Sequence, residues 1–237
     1  GDQIRQQEQR VLLGYRTSYE RETYWFGKEV FLRLGGEIRV DDIRENELSH
    51  TRNRNEVLDY LALGDVRESN AAVFVNQNTR INDRMTLETG LRLDYLHFAY
   101  QNHVTEQYDP QSTGKTIVSP KLRLSYQCNN SLQLYLHGGR GFHSNDARLV
   151  MENTHQILPA AYGVDLGSIW KPMKGMVIQA ALWALWMEQE FVYVGDAGLV
   201  EAGGATKRFG GDLSLRYQMS PRWFADVDVN YSHARAI

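Results

Sequence analysis

Hydrophobic and polar residues alternate along this chain with a period of two, in ten stretches joined by turns that are short, long, short, long in sequence. Leu132, Leu134 and Leu136 fall on one face of a strand, and Gln133, Tyr135 and His137 on the other. Met85, Leu87, Leu91 and Leu93 oppose Glu88, Gly90, Arg92 and Asp94. Trp223, Ala225, Val227, Val229 and Tyr231 oppose Asp226, Asp228, Asn230 and Ser232. Successive side chains of a strand point to opposite faces, so each stretch has one greasy and one wet face. A charged wet face, with turns that alternate in length, makes lipid the expected solvent of the greasy side.

The expected strands cover 11–24, 28–44, 67–80, 85–100, 117–127, 131–142, 161–171, 176–194, 205–218 and 222–235. Trp25-Phe26-Gly27, Asn82-Asp83-Arg84, Cys128-Asn129-Asn130 and Ser220-Pro221 form short turns. Long polar loops are expected at 45–66, 101–116 and 143–160, with a Gly-rich loop through Gly203-Gly204. The fold class is therefore all-β: an antiparallel transmembrane barrel, here a partial one of about ten strands. The stretch Ala180-Ala181-Leu182 with Ala184-Leu185 has helical propensity. A strand is preferred there because Phe191-Val192-Tyr193-Val194 continues it and its length fits the hairpin rhythm. No linker or domain boundary interrupts the 237 residues, which read as one excised piece of a larger barrel.

Two features support a membrane. Residues beside the short turns are repeatedly aromatic (Trp25, Phe26, Tyr126, Trp170, Tyr217 and Trp223), as rings at a membrane interface keep an apolar body buried and a polar handle wet. The eight steps from Trp223 to Tyr231 give roughly 26 Å of strand, or roughly 20 Å of bilayer at a tilt of about 40°. Mean hydropathy is only −0.48, but alternating lumen residues hide a barrel from such averages. The longest apolar run, Met176 to Met187, is too short for a membrane helix. A soluble β-sandwich with aromatic edges is the rival architecture.

Charge sharpens the picture. Arg33, Glu37 and Arg39, then Glu88, Arg92 and Asp94, Lys121 and Arg123, and Asp212 and Arg216 all fall on wet faces. Facing lipid at the midplane, an Arg or Lys would cost roughly 2–4 kcal/mol. These residues are therefore assigned to the lumen, either lining an aqueous path or holding a plug by ion pairs. The net charge of −3 comes without a basic stripe, so no nucleic-acid partner is expected. The one cysteine, Cys128, excludes an internal disulfide.

Several blocks resemble the barrel of TonB-dependent outer-membrane receptors. They are Ser119-Pro120-Lys121-Leu122 through Tyr135 with Gly139-Arg140-Gly141-Phe142, then Ala161-Tyr162-Gly163-Val164-Asp165-Leu166-Gly167, and Glu190 to Gly198 followed by Thr206-Lys207-Arg208-Phe209-Gly210-Gly211-Asp212-Leu213. The resemblance covers nearly the whole chain and is best from about residue 117. It implies a barrel of about 22 strands around an N-terminal plug, of which this chain supplies about ten strands and no plug. It also implies the outer membrane of a Gram-negative bacterium, lipid around the wall and partnership with the TonB complex. The cargo would be a scarce nutrient such as a ferric siderophore. Short turns would then face the periplasm and long loops the outside.

No catalytic set emerges, and neither an enzyme activity nor a cofactor is expected. Gly114-Lys115-Thr116 lacks the earlier glycine of a phosphate loop, because position 109 is Asp109. His143, Asp146 and His155 match no metal spacing, and Glu188 and Glu190 lie on one strand face without a partner. Candidate ligand contacts are the polar and aromatic residues of the expected outer loops: His50, Arg52, Arg54, His103, Tyr108, His143, Asn145, Arg148 and His155. A passive porin and a soluble binding module remain the competing functions.

Overall fold

The computed structural model describes residues 2–53, 56–104, 111–143, 158–194 and 199–237. Among the described residues twelve strands form, all antiparallel: β1 (Asp2–Trp25), β2 (Lys28–Arg52), β3 (Glu56–Asn82), β4 (Met85–Asn102), β5 (Gln111–Gln127), β6 (Leu132–Phe142), β7 (Ala160–Trp170), β8 (Met176–Met187), β9 (Phe191–Val194), β10 (Leu199–Ala202), β11 (Thr206–Ser220) and β12 (Trp223–Ala236). Ten of them make one sheet in the order β1-β2-β3-β4-β5-β6-β7-β8-β11-β12, with β1 and β12 at its open edges. Each strand of that sheet pairs with the one before and after it in chain order, β9 and β10 being passed over between β8 and β11, as in an up-and-down barrel wall.

Three expectations are corrected. The stretch 176–194 is not one strand: β8 stops at Met187, and β9 pairs instead with β10 in a separate two-stranded hairpin. Glu188 and Glu190 consequently sit beyond β8, where the Glu188 carboxylate accepts the Ala160 amide at 2.9 Å and Glu190 pairs with Arg208. Most of 45–66 is strand rather than loop, because polar residues sustain a ladder as well as apolar ones when both faces meet water or protein. The sheet also begins nine residues earlier than expected, at Asp2, which pairs with Arg52.

The β1–β2 connection shows why the short turns are short. Phe26 and Gly27 both adopt positive φ (52° and 74°) between paired Trp25 and Lys28. That is the two-residue turn whose twist matches a hairpin, and it leaves Phe26 fully exposed.

The faces of the sheet are unequal. Cross-strand rows such as Tyr15–Ile38–Ala71–Tyr95 and Gly36–Val73–Leu93–Val118 lie on one side. They are open, with Val73 59% and Ile38 56% exposed. The charged side is sheltered over β1–β4, where Asp94 is 1% and Asp41 2% exposed, and half-open elsewhere, as at Arg123 and Arg216. A face of charges closed in by its own wall, opposite an open apolar face, is the geometry of a curved sheet with the charges in the concavity. In a soluble sandwich the apolar rows would instead be the covered ones.

Outward of Asp94 the pattern inverts. Leu96, Phe98 and Tyr100 continue the concave face, while His97 and Ala99 take the convex one. With Ile43, Val66, Ile117 and Leu158 they form a buried apolar cluster against which Phe142 packs. The 27 residues of β3 span about 90 Å along the strand, or about 70 Å of height at barrel tilt. An apolar band about 25 Å tall leaves much of that length beyond the bilayer, where an inner core and a polar outside are the stable arrangement.

One seam breaks the wall. β5 and β6 pair only from Lys121↔Gly139 to Gln127↔Gln133. The next β5 residue outward is Pro120, which has no N–H to donate. The Val118 carbonyl beyond it accepts a hydrogen bond from the Arg140 guanidinium at 3.0 Å instead, and the same Arg140 lies 5.8 Å from the Tyr162 ring centroid.

Candidate functional site

All ten residues assigned to the lumen share the concave face. Arg33, Glu37 and Arg39 come from β2, and Glu88, Arg92 and Asp94 from β4. Lys121 and Arg123 come from β5, and Asp212 and Arg216 from β11. Registration of antiparallel strands stacks them in rows perpendicular to the strands. One row runs Glu88–Arg123–His137–Asp165–Trp183 across five strands.

The densest part is a network over β1–β4. Arg92 donates through Nε and Nη2 to Asp94 at 2.9–3.0 Å and through Nη1 to Glu37 at 3.0 Å. Asn70 adds a bond to Asp94 at 3.2 Å. Arg10 grips Asp41 with both Nε (2.7 Å) and Nη2 (2.6 Å), and Arg39 approaches the same carboxylate at 3.3 Å. Bidentate, charge-assisted bonds of this kind fix both partners' rotamers. The network lines a cavity of about 370 Å³ whose outward rim is Leu96, Phe98 and Phe142. Such a cavity offers fixed donors and acceptors beside an aromatic edge, a setting for binding rather than bond-making.

Elsewhere the concave charges pair locally. Arg33 meets Glu20 at 2.6 Å, and Arg216 meets Asp228 at 3.0 Å and Asp226 at 3.3 Å. Asn230 donates to Asp212 at 2.9 Å. Arg123 and Glu88 stand 3.9 Å apart, and the His137 ring stacks on Tyr135. The Lys121 chain lies across Gly90, where a β-carbon would come within 2.4 Å of it.

The outer-loop candidates are more scattered. His50 and Arg52 sit on β2 itself, opposite Ile4 and Asp2. His103 follows β4, where its amide donates to the Leu63 carbonyl at 2.9 Å and its ring lies 3.6 Å from Asp65. His143 follows β6, with its amide on the Pro159 carbonyl at 3.2 Å. Among the described residues, no hydrogen bond or ion pair joins these four to one another. Arg54, Tyr108, Asn145, Arg148 and His155 lie outside the described residues. Among the described residues, no group of His, Cys, Asp and Glu is arranged to hold a metal ion.

Further out, Glu47 is a carboxylate that sequence reasoning passed over. It accepts from the Ser49 hydroxyl at 2.6 Å and from Arg5 Nε at 2.9 Å. Those donors hold its carboxyl below the usual glutamate value, the Ser49 bond contributing most. Arg10, Asp41 and Asn70 were also passed over. Asp41 and Asn70 share the parity of Glu37 and Asp94 within the expected strands, and Arg10 joins them once β1 is extended outward.

Comparison with known proteins completes the picture. A family model described as the β-barrel of TonB-dependent receptor-like proteins matches residues 2–237. No curated protein matches the chain. Among solved structures, the closed form of the ferric-catecholate import receptor Fiu from E. coli K12 is 14% identical, with a TM-score of 0.72, and the match covers 98% of this chain and 38% of that one. The unliganded ferric citrate transporter FecA is 13% identical at a TM-score of 0.80, over 99% of this chain and 37% of that one. The siderophore receptor PiuA from Acinetobacter baumannii is 11% identical at 0.75, over 97% and 39%. At these identities the likeness is one of fold, and the chain spans less than two fifths of each of those proteins.

Proposed function

Because this chain belongs to the family of TonB-dependent receptor-like β-barrels, we propose that it forms part of an outer-membrane receptor that binds a scarce nutrient, such as a ferric siderophore, and imports it with TonB-coupled energy. The observation that carries this reading is the segregation of the two faces. An open apolar side suits hydrocarbon, and a sheltered side of paired charges suits a lumen that holds polar groups in place. The remaining strands and a plug domain would come from sequence outside these 237 residues.

In this reading the concave charges Arg33, Glu37, Glu88, Arg92, Asp94, Lys121, Arg123, Asp212 and Arg216 face plug or passing solute. His50, Arg52, Arg54, His103, Tyr108, His143, Asn145, Arg148 and His155 supply outer contacts to an anionic chelate. The names of several structural relatives, which include a ferric-catecholate receptor and a ferric citrate transporter, favour an iron chelate as cargo.

The test is uptake by cells carrying the intact receptor, with labelled ferric catecholate and ferric citrate as probes. Saturable binding of a chelate, and uptake that stops when the inner-membrane proton gradient is dissipated, is the expected result. Leakage of unrelated small solutes that continues without the gradient would establish a passive porin instead. Unchanged affinity after removal of residues 143–160 would take that loop out of the binding surface.

A further inference from the structure

The convex face is not uniformly convex. Between Tyr15 on β1 and Tyr95 on β4 it sinks over Gly36 and Ala71 into an apolar groove of about 580 Å³, floored also by Val73. That volume is within the range of about 300–1,000 Å³ found for pockets that hold small molecules. A β-carbon added at Gly36 would meet nothing nearer than the Ala72 carbonyl at 3.6 Å, so the depression is open space left by a missing side chain. The Tyr95 hydroxyl lies where a Gly114 side chain would otherwise stand, 2.7 Å from that β-carbon position, which leans the ring over its neighbouring strand.

On β3 and β4 the groove ends where the apolar band does, while Leu13 and Val40 continue the band by one row on β1 and β2. Two residues beyond its Ala71–Tyr95 row come Ser69 and His97, and two more bring Arg67 opposite Asp42. Asp42 is taken by Arg44 at 3.2 Å. Arg67 is exposed, and no ion pair joins it to another described residue. The order along β3 and β4 is thus apolar trough, tyrosine rim, then a hydroxyl, an imidazole and a guanidinium with no ion pair among the described residues.

We propose that this groove seats one acyl chain of a phosphate-bearing lipid of the outer leaflet, with Arg67 and His97 turned to the phosphate. The inference rests on the membrane reading given above and goes beyond it by naming a specific lipid site on the wall. Lipid rather than a protein is the occupant because the groove is continuous with the apolar band and its cation stands at headgroup height. A cation near the membrane surface attracts an anionic headgroup by about 1 kcal/mol.

The test uses the intact receptor extracted from its own membrane in mild detergent, with retained phosphorus and bound mass read by native mass spectrometry. A phosphate-bearing lipid held by the wild type is expected. Gly36→Leu with Ala71→Phe fills the trough and should abolish its retention. Arg67→Gln lies outside the hydrocarbon, leaves barrel insertion intact, and should lower retention by about fivefold, the effect of one surface cation. Leu213→Phe, in the band on β11, should change nothing. Retention unaffected by the groove variants, loss that is equal in the Leu213→Phe control, or a second protein chain bound at the site would overturn the proposal. A receptor that stays monodisperse in water without detergent would overturn the membrane reading itself, a distinguishable failure.

Discussion

Removing the Arg92 guanidinium should expose how the concave network holds the wall. In Arg92→Ala, Asp94 keeps only the Asn70 bond at 3.2 Å, while its own side chain stays almost fully enclosed. Breaking a buried ion pair from one side typically costs about 3–5 kcal/mol, because the surviving charge is stranded. The Arg92 side chain is a third exposed, so water reaches the site, and about 2–3 kcal/mol is the appropriate expectation. Asp94→Ala should cost less, about 1–2 kcal/mol, since Arg92 retains Glu37 at 3.0 Å and solvent. The double variant should cost less than the sum of the two by about 1–2 kcal/mol. Urea unfolding of the intact receptor in lipid vesicles, followed by tryptophan fluorescence at neutral pH, measures all three. An Arg92→Ala cost below about 0.5 kcal/mol, or strict additivity, would show that this network is solvated and does not brace the wall.

Three other outcomes are expected. Phe98→Ala empties the centre of the outward apolar cluster, where Phe98 is fully buried, at about 3–5 kcal/mol; hydrogen exchange should accelerate over β4 and β5 outward of Asp94 and stay unchanged near the short turns. Leu166→Arg places a cation on the convex face of β7 and should cost about 2–4 kcal/mol in vesicle-insertion assays, whereas Leu166→Phe should be tolerated. Glu47, held below its ordinary value by Ser49 and Arg5, stabilises the outer β1–β2 hairpin fully above that value. This contribution is lost as pH falls through the lower folded value, so proteolytic nicking of the hairpin should rise on acidification in wild type and lose its pH dependence in Glu47→Gln.

The band that faces lipid was legible because hydrocarbon on one side and charge on the other force strict alternation. Leu132 to His137 and Trp223 to Ser232 need no other information. The outward half was not, since both of its faces tolerate polar residues. There Asn46, Glu47 and Ser49 on β2 read as loop although they are buried in a ladder. The inversion at Leu96, Phe98 and Tyr100 was visible as alternation, but its change of side follows only from cross-strand register with Val66 and Ile117. The β8 break at Met187 was hidden because the apolar Phe191–Val194 keeps the right parity while pairing elsewhere. The charged-face residues were identified one by one, yet their partners across strands, such as Arg10 for Asp41, depend on pairings that a single strand does not encode.

The apolar cluster beyond Asp94 gives the exterior portion of the wall a source of cohesion independent of the bilayer. Contact with hydrocarbon and cohesion of the outward portion therefore rest on separate sets of residues. A change inside that second core leaves the alternation of apolar and charged faces in the hairpins beneath it intact.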